Sequence, residues 1–371
     1  MKIVVLGTRG FPGIQGGIEM HCEQLYTRLA KMGCDVTVFT RKHRVNPAIK
    51  NYKDVKMIAI EAPAKKSVEA IYHTFKGVFA AKKIKPDIVH IHAVGPSLMI
   101  LLARMLGLKT VMTNHGPDYK RMKWGWIAKM SLRLGELVGS CFANEIICIS
   151  ELIARKVKRK FKRKCHVIPN GTEAAEILEY DDMLKKHSLT KDKYLLAVGR
   201  FVPEKGFSEL IDAFSKAKLE GWKLVIVGEA GHEKKYSLTL EKKAKRRDNI
   251  VLTGFLTGEP LKELYSHAGL FVMPSYYEGL SIVFLEALSY GLPCLVSDIA
   301  ANHFISLSEQ NYFSPGDVKQ LSKKLQEFIK IPFSPAQRHQ QIEIIHKNYN
   351  WDDIAKKTLE VYRKVLNSPA R

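Results

Sequence analysis

The sequence predicts an α/β protein built of two doubly wound parallel-sheet domains in tandem, and three observations carry that expectation. Short runs rich in Val, Ile and Leu alternate with amphipathic helical stretches along the chain, the pattern of parallel strands covered on both faces. The 371 residues exceed the length over which one hydrophobic core keeps growing, so two cores are expected. Both halves also open alike, with an apolar strand ending in glycine and an arginine close behind: IVVLG-Thr8-Arg9 and LLAVG-Arg200.

In a first domain over 1–170, strands are expected at 2–7, 35–40, 54–60, 87–92, 109–113, 145–149 and 165–168. The turn signal Pro169-Asn170-Gly171 then interrupts the alternation, and the polar stretch 171–192 reads as an interdomain linker. A second domain over 193–350 repeats the pattern, with strands at 193–198, 223–227, 249–253, 269–273 and 293–297. The tail 351–371 carries a helix over Trp351 to Asn367 that has two candidate docking surfaces, the first domain among them.

Composition narrows the function classes. The 59 basic against 37 acidic residues give a net charge of +22, which attracts nucleic acid, anionic membranes or phosphorylated substrates alike. The six cysteines include no C-x-x-C and mostly lie in apolar runs, as expected of buried thiols in a reduced, cytoplasmic protein. The start, MKIVVLG, reads as a strand rather than a secretion signal. The longest apolar stretch, PSLMILLARMLGL, is interrupted by Arg104 and too short to cross a bilayer, so any membrane contact is expected to be peripheral.

The chemistry-bearing residues gather at strand ends. Glu278 and Glu286 flank the run GLSIVFL after the strand LFVMP, and a helix starting near Ser281 would aim the amides of Gly279, Leu280 and Ser281 at an anion. Glu286 sits in an otherwise apolar helix, where a carboxylate needs partners and can accept hydrogen bonds from vicinal hydroxyls. In GRFVPEKGF, Arg200 and Lys205 bracket a turn into a helix, and an anion there would relieve the conflict between cations and the helix dipole. Near the start, Gly16 and Gly17 precede a helix and leave its amides approachable. The spacing is not G-x-G-x-x-G, and the second strand ends VFTRK with no acid for a ribose diol, which leaves a dinucleotide site only through Arg41.

No D-x-D occurs, so neutralising a leaving diphosphate would fall to Arg200, Lys205 and helix amides, without a divalent metal. His90 and His92 share one face of a strand and His115 follows the next, a trio that reads either as metal ligands or as satisfied polar groups. His115, beside Gly116 at the carboxyl end of its strand, is the histidine best placed for catalysis. Basic runs at Arg155 to Lys164 and Lys120 to Lys123 suggest an anionic membrane surface, and the latter leads into a stretch with Trp124, Trp126 and an apolar stripe that an interface and core packing explain equally well. Nucleic acid is disfavoured, because no nucleic-acid module accompanies the charge.

With these residues in view, the chain resembles the family-four retaining glycosyltransferases of the GT-B architecture, two Rossmann-like domains facing across a cleft. The resemblance rests on GIQGGIE, NHG, PNG, VGRFVPEKG, TGFL and, most specifically, YEGLSIVFLEALSYGLPCLVSD. The opening G-x-R-G-x-P and the run KRMKW resemble a bacterial branch assigned to rhamnosyl transfer in surface polysaccharide synthesis. Many members of that branch carry Asp-Gly where this chain has His115-Gly116, which leaves the sugar open. The family implies that Arg200 and Lys205 hold the donor diphosphate and Glu286 the ribose. It implies that Glu278 meets the donor sugar with Leu280 and Ser281 alongside, that Gly16 and Gly17 approach the phosphates, and that Phe255 and Leu256 lie near the base. His115 would line the reacting face of the sugar. Two rival classes stand beside this enzyme: a basic lipid- or nucleic-acid-binding protein that has lost activity, and a sugar-nucleotide epimerase.

Overall fold

The computed structural model describes residues 1–46, 48–63, 68–120, 125–230 and 234–368. The chain divides into two compact units, Met1–Gly171 with Trp351–Arg371, and Thr172–Asn350.

The first unit follows the alternation of its sequence. Strands β1 (Lys2–Leu6), β2 (Asp35–Arg41), β3 (Asn51–Tyr52), β4 (Val55–Ile60), β5 (Ile88–His92), β6 (Thr110–Asn114), β7 (Glu145–Cys148) and β8 (His166–Val167) form one sheet in the order β3-β4-β2-β1-β5-β6-β7-β8. The helices are α1 (Gly17–Lys31), α2 (Glu69–Ile84), α3 (Ile100–Met105), α4 (Trp126–Phe142) and α5 (Glu151–Phe161). The central strands are buried throughout, as their unbroken aliphatic runs require. One strand departs from the all-parallel expectation: β3 pairs antiparallel with β4 across a tight turn in which Lys53 and Asp54 adopt positive φ. At two residues it has no periodicity to read.

In the second unit α6 (Asp182–Lys186) leads into β9 (Tyr194–Val198), α7 (Phe207–Ala217), β10 (Lys223–Val227), α8 (Lys234–Ala244), β11 (Ile250–Gly254), α9 (Glu259–His267) and β12 (Leu270–Met273). There follow α10 (Ile282–Ser289), β13 (Cys294–Ser297), β14 (Tyr312–Phe313), α11 (Val318–Phe328) and α12 (Pro335–Asn348). The sheet is parallel, ordered β11-β10-β9-β12-β13-β14. Its core joins Leu195, Ile226, Leu270 and Val272 of the strands to Phe207, Leu210 and Phe214 of α7. Residues 172–192 pack within this unit: the Leu178 amide donates to Ser266 Oγ at 3.0 Å, and the amides of Met183 and Leu184 donate to Glu263 Oε1.

The last helix, α13 (Trp351–Asn367), belongs to the first unit. Trp351, Tyr362 and Val365 are buried there, and Arg28 of α1 donates to Asp352 at 2.7 Å.

Candidate active site

In each sheet the strand order reverses at one point, and there the loops at the carboxyl ends of neighbouring strands diverge to opposite faces and leave room for a ligand. In the second unit the reversal lies between β9 and β12. The loop after β9 carries Arg200 and Lys205, and the loop after β12 carries Glu278, so topology brings the two sequence segments together. Lys205 Nζ lies 2.6 Å from Glu278 Oε1, and the two side chains are only 18% and 12% exposed. The Tyr276 amide donates to the Glu204 carbonyl at 2.9 Å and ties the loops. Gly206 completes the junction: its φ of 65° is left-handed, and a Cβ there would run into the Pro274 carbonyl. Any other residue would separate the loops that hold Lys205 and Glu278.

Both helices that leave these loops begin without a side-chain cap, α7 at Gly206 and α10 at Ser281. Their first-turn amides are therefore oriented to receive an anion. Gly279 is half-buried, and Leu280 and Ser281 are buried. Glu286 lies on the second turn of α10, where Tyr265 of α9 donates to its Oε2 at 3.1 Å. Burial pushes its carboxyl up, the Tyr265 hydroxyl draws it partly back, and the group titrates at about 7. Phe255 and Leu256 follow β11, two strands from β9, and are half-buried. Arg200 is half-buried beside Gly199.

In the first unit the reversal lies between β1 and β5. Gly16 caps α1 and Gly17 opens it, but their surroundings differ. A Cβ on Gly16 would collide with Arg9 and Glu19, whereas nothing lies within 4 Å of one on Gly17. Arg9 grips Glu19 with two nitrogens, Nε to Oε1 at 3.0 Å and a terminal nitrogen to Oε2 at 2.9 Å, and also donates to the Gln15 carbonyl. Burial alone would raise the Glu19 carboxyl, yet the charge and hydrogen bonds of Arg9 hold it at about 2. This pair braces the glycine loop. Sequence reading passed over it, although an arginine and a glutamate within one glycine-rich turn were the available signal.

The histidines form a connected chain. His115, at the end of β6, has Nε2 3.0 Å from His92 Nδ1; His92 Nε2 meets the Tyr26 hydroxyl at 2.5 Å; Tyr26 also lies 2.8 Å from His90 Nδ1. His90 is completed by Thr113 at 2.7 Å and by Tyr362 of α13. Burial drives His90 and His92 well below the ordinary histidine value, so both are neutral. Among the described residues one group has metal-ligand geometry, His21, His92 and His115, whose ligand atoms lie within 4.8 Å of one another. His21 thus takes the place in that trio that spacing had offered to His90. Its Nδ1 pairs with Asn170 at 2.9 Å, and burial lowers it to about 4. Arg41, through which a dinucleotide site would have worked, is engaged by Glu69 at 3.1 Å.

Of the two basic runs, Arg155 to Lys164 lies on α5 and just beyond it, with Arg155, Lys158, Arg159, Lys162 and Lys164 exposed and Lys160 paired with Glu136 at 2.8 Å. Arg121 to Lys123 lie outside the described residues, and Lys120 ends a short 3-10 turn. None of the described helices is long and apolar enough to cross a membrane.

Comparison with known proteins bears on the family and the fold. The profile of Glycosyltransferase Family 4 matches residues 15–176, and that of Glycosyl transferases group 1 matches residues 180–348. An uncharacterised glycosyltransferase of Methanocaldococcus jannaschii is 26% identical, with all of both chains aligned. A UDP-Gal:α-D-GlcNAc-diphosphoundecaprenol α-1,3-galactosyltransferase of Escherichia coli is 30% identical over 62% of this chain and 63% of its own. The solved sucrose-phosphate synthase of Thermosynechococcus elongatus superposes with a TM-score of 0.84 at 22% identity, over 98% of each chain, which shows the shared GT-B fold. Matched in its first half by the one glycosyltransferase profile and in its second half by the other, the chain is a glycosyltransferase.

Proposed function

We propose that this glycosyltransferase moves a sugar from a nucleotide diphosphate sugar to a glycan or lipid-linked acceptor, with retention at the anomeric carbon and without a divalent metal. The observation that carries the proposal is the Lys205–Glu278 pair, held 2.6 Å apart at the reversal of the second sheet beside two uncapped helix starts. Lys205, Arg200 and the first amides of α10 would bind the diphosphate, because negative charge accumulates there as the glycosidic bond breaks. Glu286 would accept from the ribose hydroxyls, with Phe255 and Leu256 near the base. Glu278, Leu280 and Ser281 would meet the sugar.

In the first unit, Gly17, whose Cα is open to approach, would admit a phosphate, with Gly16 beside it and His115 on the reacting face of the sugar. The leaving diphosphate itself would take the acceptor's proton on the same face, so no protein nucleophile is required. The donor and the lipid diphosphate acceptor named for the Escherichia coli relative support this substrate class. Cell-surface polysaccharide synthesis on the cytoplasmic face of a bacterial membrane is the setting we propose, with rhamnose among the candidate sugars and the exposed basic side chains of α5 meeting anionic lipid.

The decisive experiment incubates the purified chain with UDP-, GDP- and dTDP-sugars and lipid-diphosphate acceptors in the presence of EDTA. Product with the donor's anomeric configuration, seen by proton NMR, supports transfer with retention and without a divalent metal. Turnover only after metal addition removes the metal-free reading, inversion removes the mechanism, and an epimerised donor without acceptor assigns an epimerase instead. Salt-sensitive RNA binding with no turnover would assign a binding protein.

A further inference from the structure

Helix α4 is packed the wrong way round for a soluble domain. Its buried residues are Gly135, Glu136, Val138, Gly139 and Ser140, and the closest packing is at the glycines: a Cβ on Gly135 would strike the Val94 carbonyl, and one on Gly139 would lie 2.7 Å from Ser97 Cβ. Its outward face carries the large apolar residues. Trp126 is 72% exposed and Ile127 68%, with Met130, Leu134 and Leu137 also exposed. At 100° per residue these five span about one quarter of the helix circumference, a single stripe.

The stripe has neighbours. Helix α3 packs on α4 and exposes Met105 by 77%. The turn Pro96–Met99 before α3 packs against α4 and also against α2, whose solvent side carries Tyr72, Phe75 and Phe79 at helical spacing. The two phenylalanine rings stack edge to face 5.1 Å apart. Isolated exposed apolar residues are ordinary, but a field spread over three adjoining helices marks a surface that meets another apolar phase.

The charge around the field identifies that phase. Lys129 and Arg133 border the stripe on α4, and Lys76 lies over the Tyr72 ring at 4.9 Å. Alongside stands α5, fixed to α4 by the Lys160–Glu136 pair and by Arg163, which donates to the Cys141 and Ala143 carbonyls. An apolar stripe with an interfacial tryptophan and a basic border is the pattern of a helix lying in the headgroup layer of an anionic bilayer.

We propose that the outward faces of α2, α3 and α4 form a membrane-insertion surface, which dips into the acyl boundary of an anionic bilayer while α5 meets the headgroups. This rests on the membrane-associated setting proposed above and adds a mode of binding: burial of apolar side chains, beyond adsorption by charge.

The test uses the full chain and vesicles of phosphatidylcholine with phosphatidylglycerol, without donor or acceptor. Flotation should persist in about 1 M salt, where charge attraction is screened within ~3 Å. Brominated acyl chains should quench tryptophan emission, and the quenching should fall in Trp126→Phe. The double variant Ile127→Glu/Leu134→Glu changes only exposed positions and should keep its melting temperature while binding vesicles about tenfold or more weakly.

Complete release by salt with no quenching would overturn the proposal in favour of adsorption by charge. A concentration-dependent dimer by analytical ultracentrifugation that the double variant abolishes, with no flotation, would overturn it in favour of a second copy on this face. Turnover of a soluble acceptor, followed on the same preparations, separates this inference from the transferase reading: each can fail while the other stands.

Discussion

Lys205 and Glu278 are 73 positions apart in sequence yet share one hydrogen bond. Neither is more than one-fifth exposed, so removing one leaves the other's charge short of a partner in a poorly solvated place. Lys205→Ala should lower kcat/KM for the donor by about a hundredfold, the scale of one preorganised charge contact, with Lys205→Arg recovering part of it. Unchanged steady-state kinetics would remove Lys205 from the diphosphate site. Glu286 calls for a pH measurement. Its folded-state value of about 7 lies above the ordinary 4.5, so the folded chain holds a proton that the unfolded chain has lost across that window. Stability from this group should therefore be full below about 4.5 and fall as pH rises toward about 7, while donor affinity should rise as the carboxylate proposed to accept from the ribose forms. Glu286→Gln should flatten both profiles, as read by thermal melts and by KM against pH. Glu19 runs the other way. Held at about 2 by Arg9, it contributes stability above about 4.5 that disappears as acid protonates it, and Arg9→Ala should cost about 3 kcal/mol at neutral pH and remove this part of the acid sensitivity in urea titrations. The types and positions of Arg200, Lys205, Glu278 and Glu286 were legible in sequence. The Arg9 clasp left a signal that was passed over, its arginine and glutamate sharing one glycine-rich turn; the Tyr265 hydroxyl left none, because a partner chosen by folding leaves no mark of spacing.

At the level of elements, the aliphatic strands were readable almost to the residue: the stretch expected at 223–227 is β10 and that at 54–60 is β4, one residue shorter. The misses are the two-residue strands β3 and β14, too short to show alternation. Turns were legible in part. The glycine after Lys205 announces a helix start, but only the packed structure shows that it also faces Pro274 across the junction of the two loops. Gly206→Ala should thus combine left-handed strain of about 1–2 kcal/mol with a collision, and the loop carrying Lys205 must move. The expected result is a loss of kcat/KM larger than the drop in melting temperature would explain; wild-type kinetics with a lowered Tm would show that the junction does not position Lys205. For α4, the sequence offered a stripe that core packing and an interface explained equally well. The glycine face, seen only in three dimensions, decides that the large side chains lie outside.

At the scale of the molecule, α13 is separated from the rest of its unit by the whole of the second unit in sequence, yet it supplies Tyr362 to His90 and carbonyls at 365 and 366 to Lys109. Ending the chain at Asn350 should leave hydrogen exchange of β9 to β13 protected and still slowed by nucleoside diphosphate, while β1, β5 and β6 lose protection; intact protection of β5 would show that α13 is dispensable. The two α/β units, the order of their strands along the chain and the residue types at the strand ends are legible without coordinates, because they are local properties of periodicity, turn chemistry and charge. Tertiary structure alone decided which strands became neighbours, and with them the meeting of Lys205 with Glu278, the entry of His21 into the cluster of His92 and His115, and the outward turn of Trp126. Pairing between distant segments is chosen by the burial of whole sheets, a sum over many side chains that no short window of residues contains.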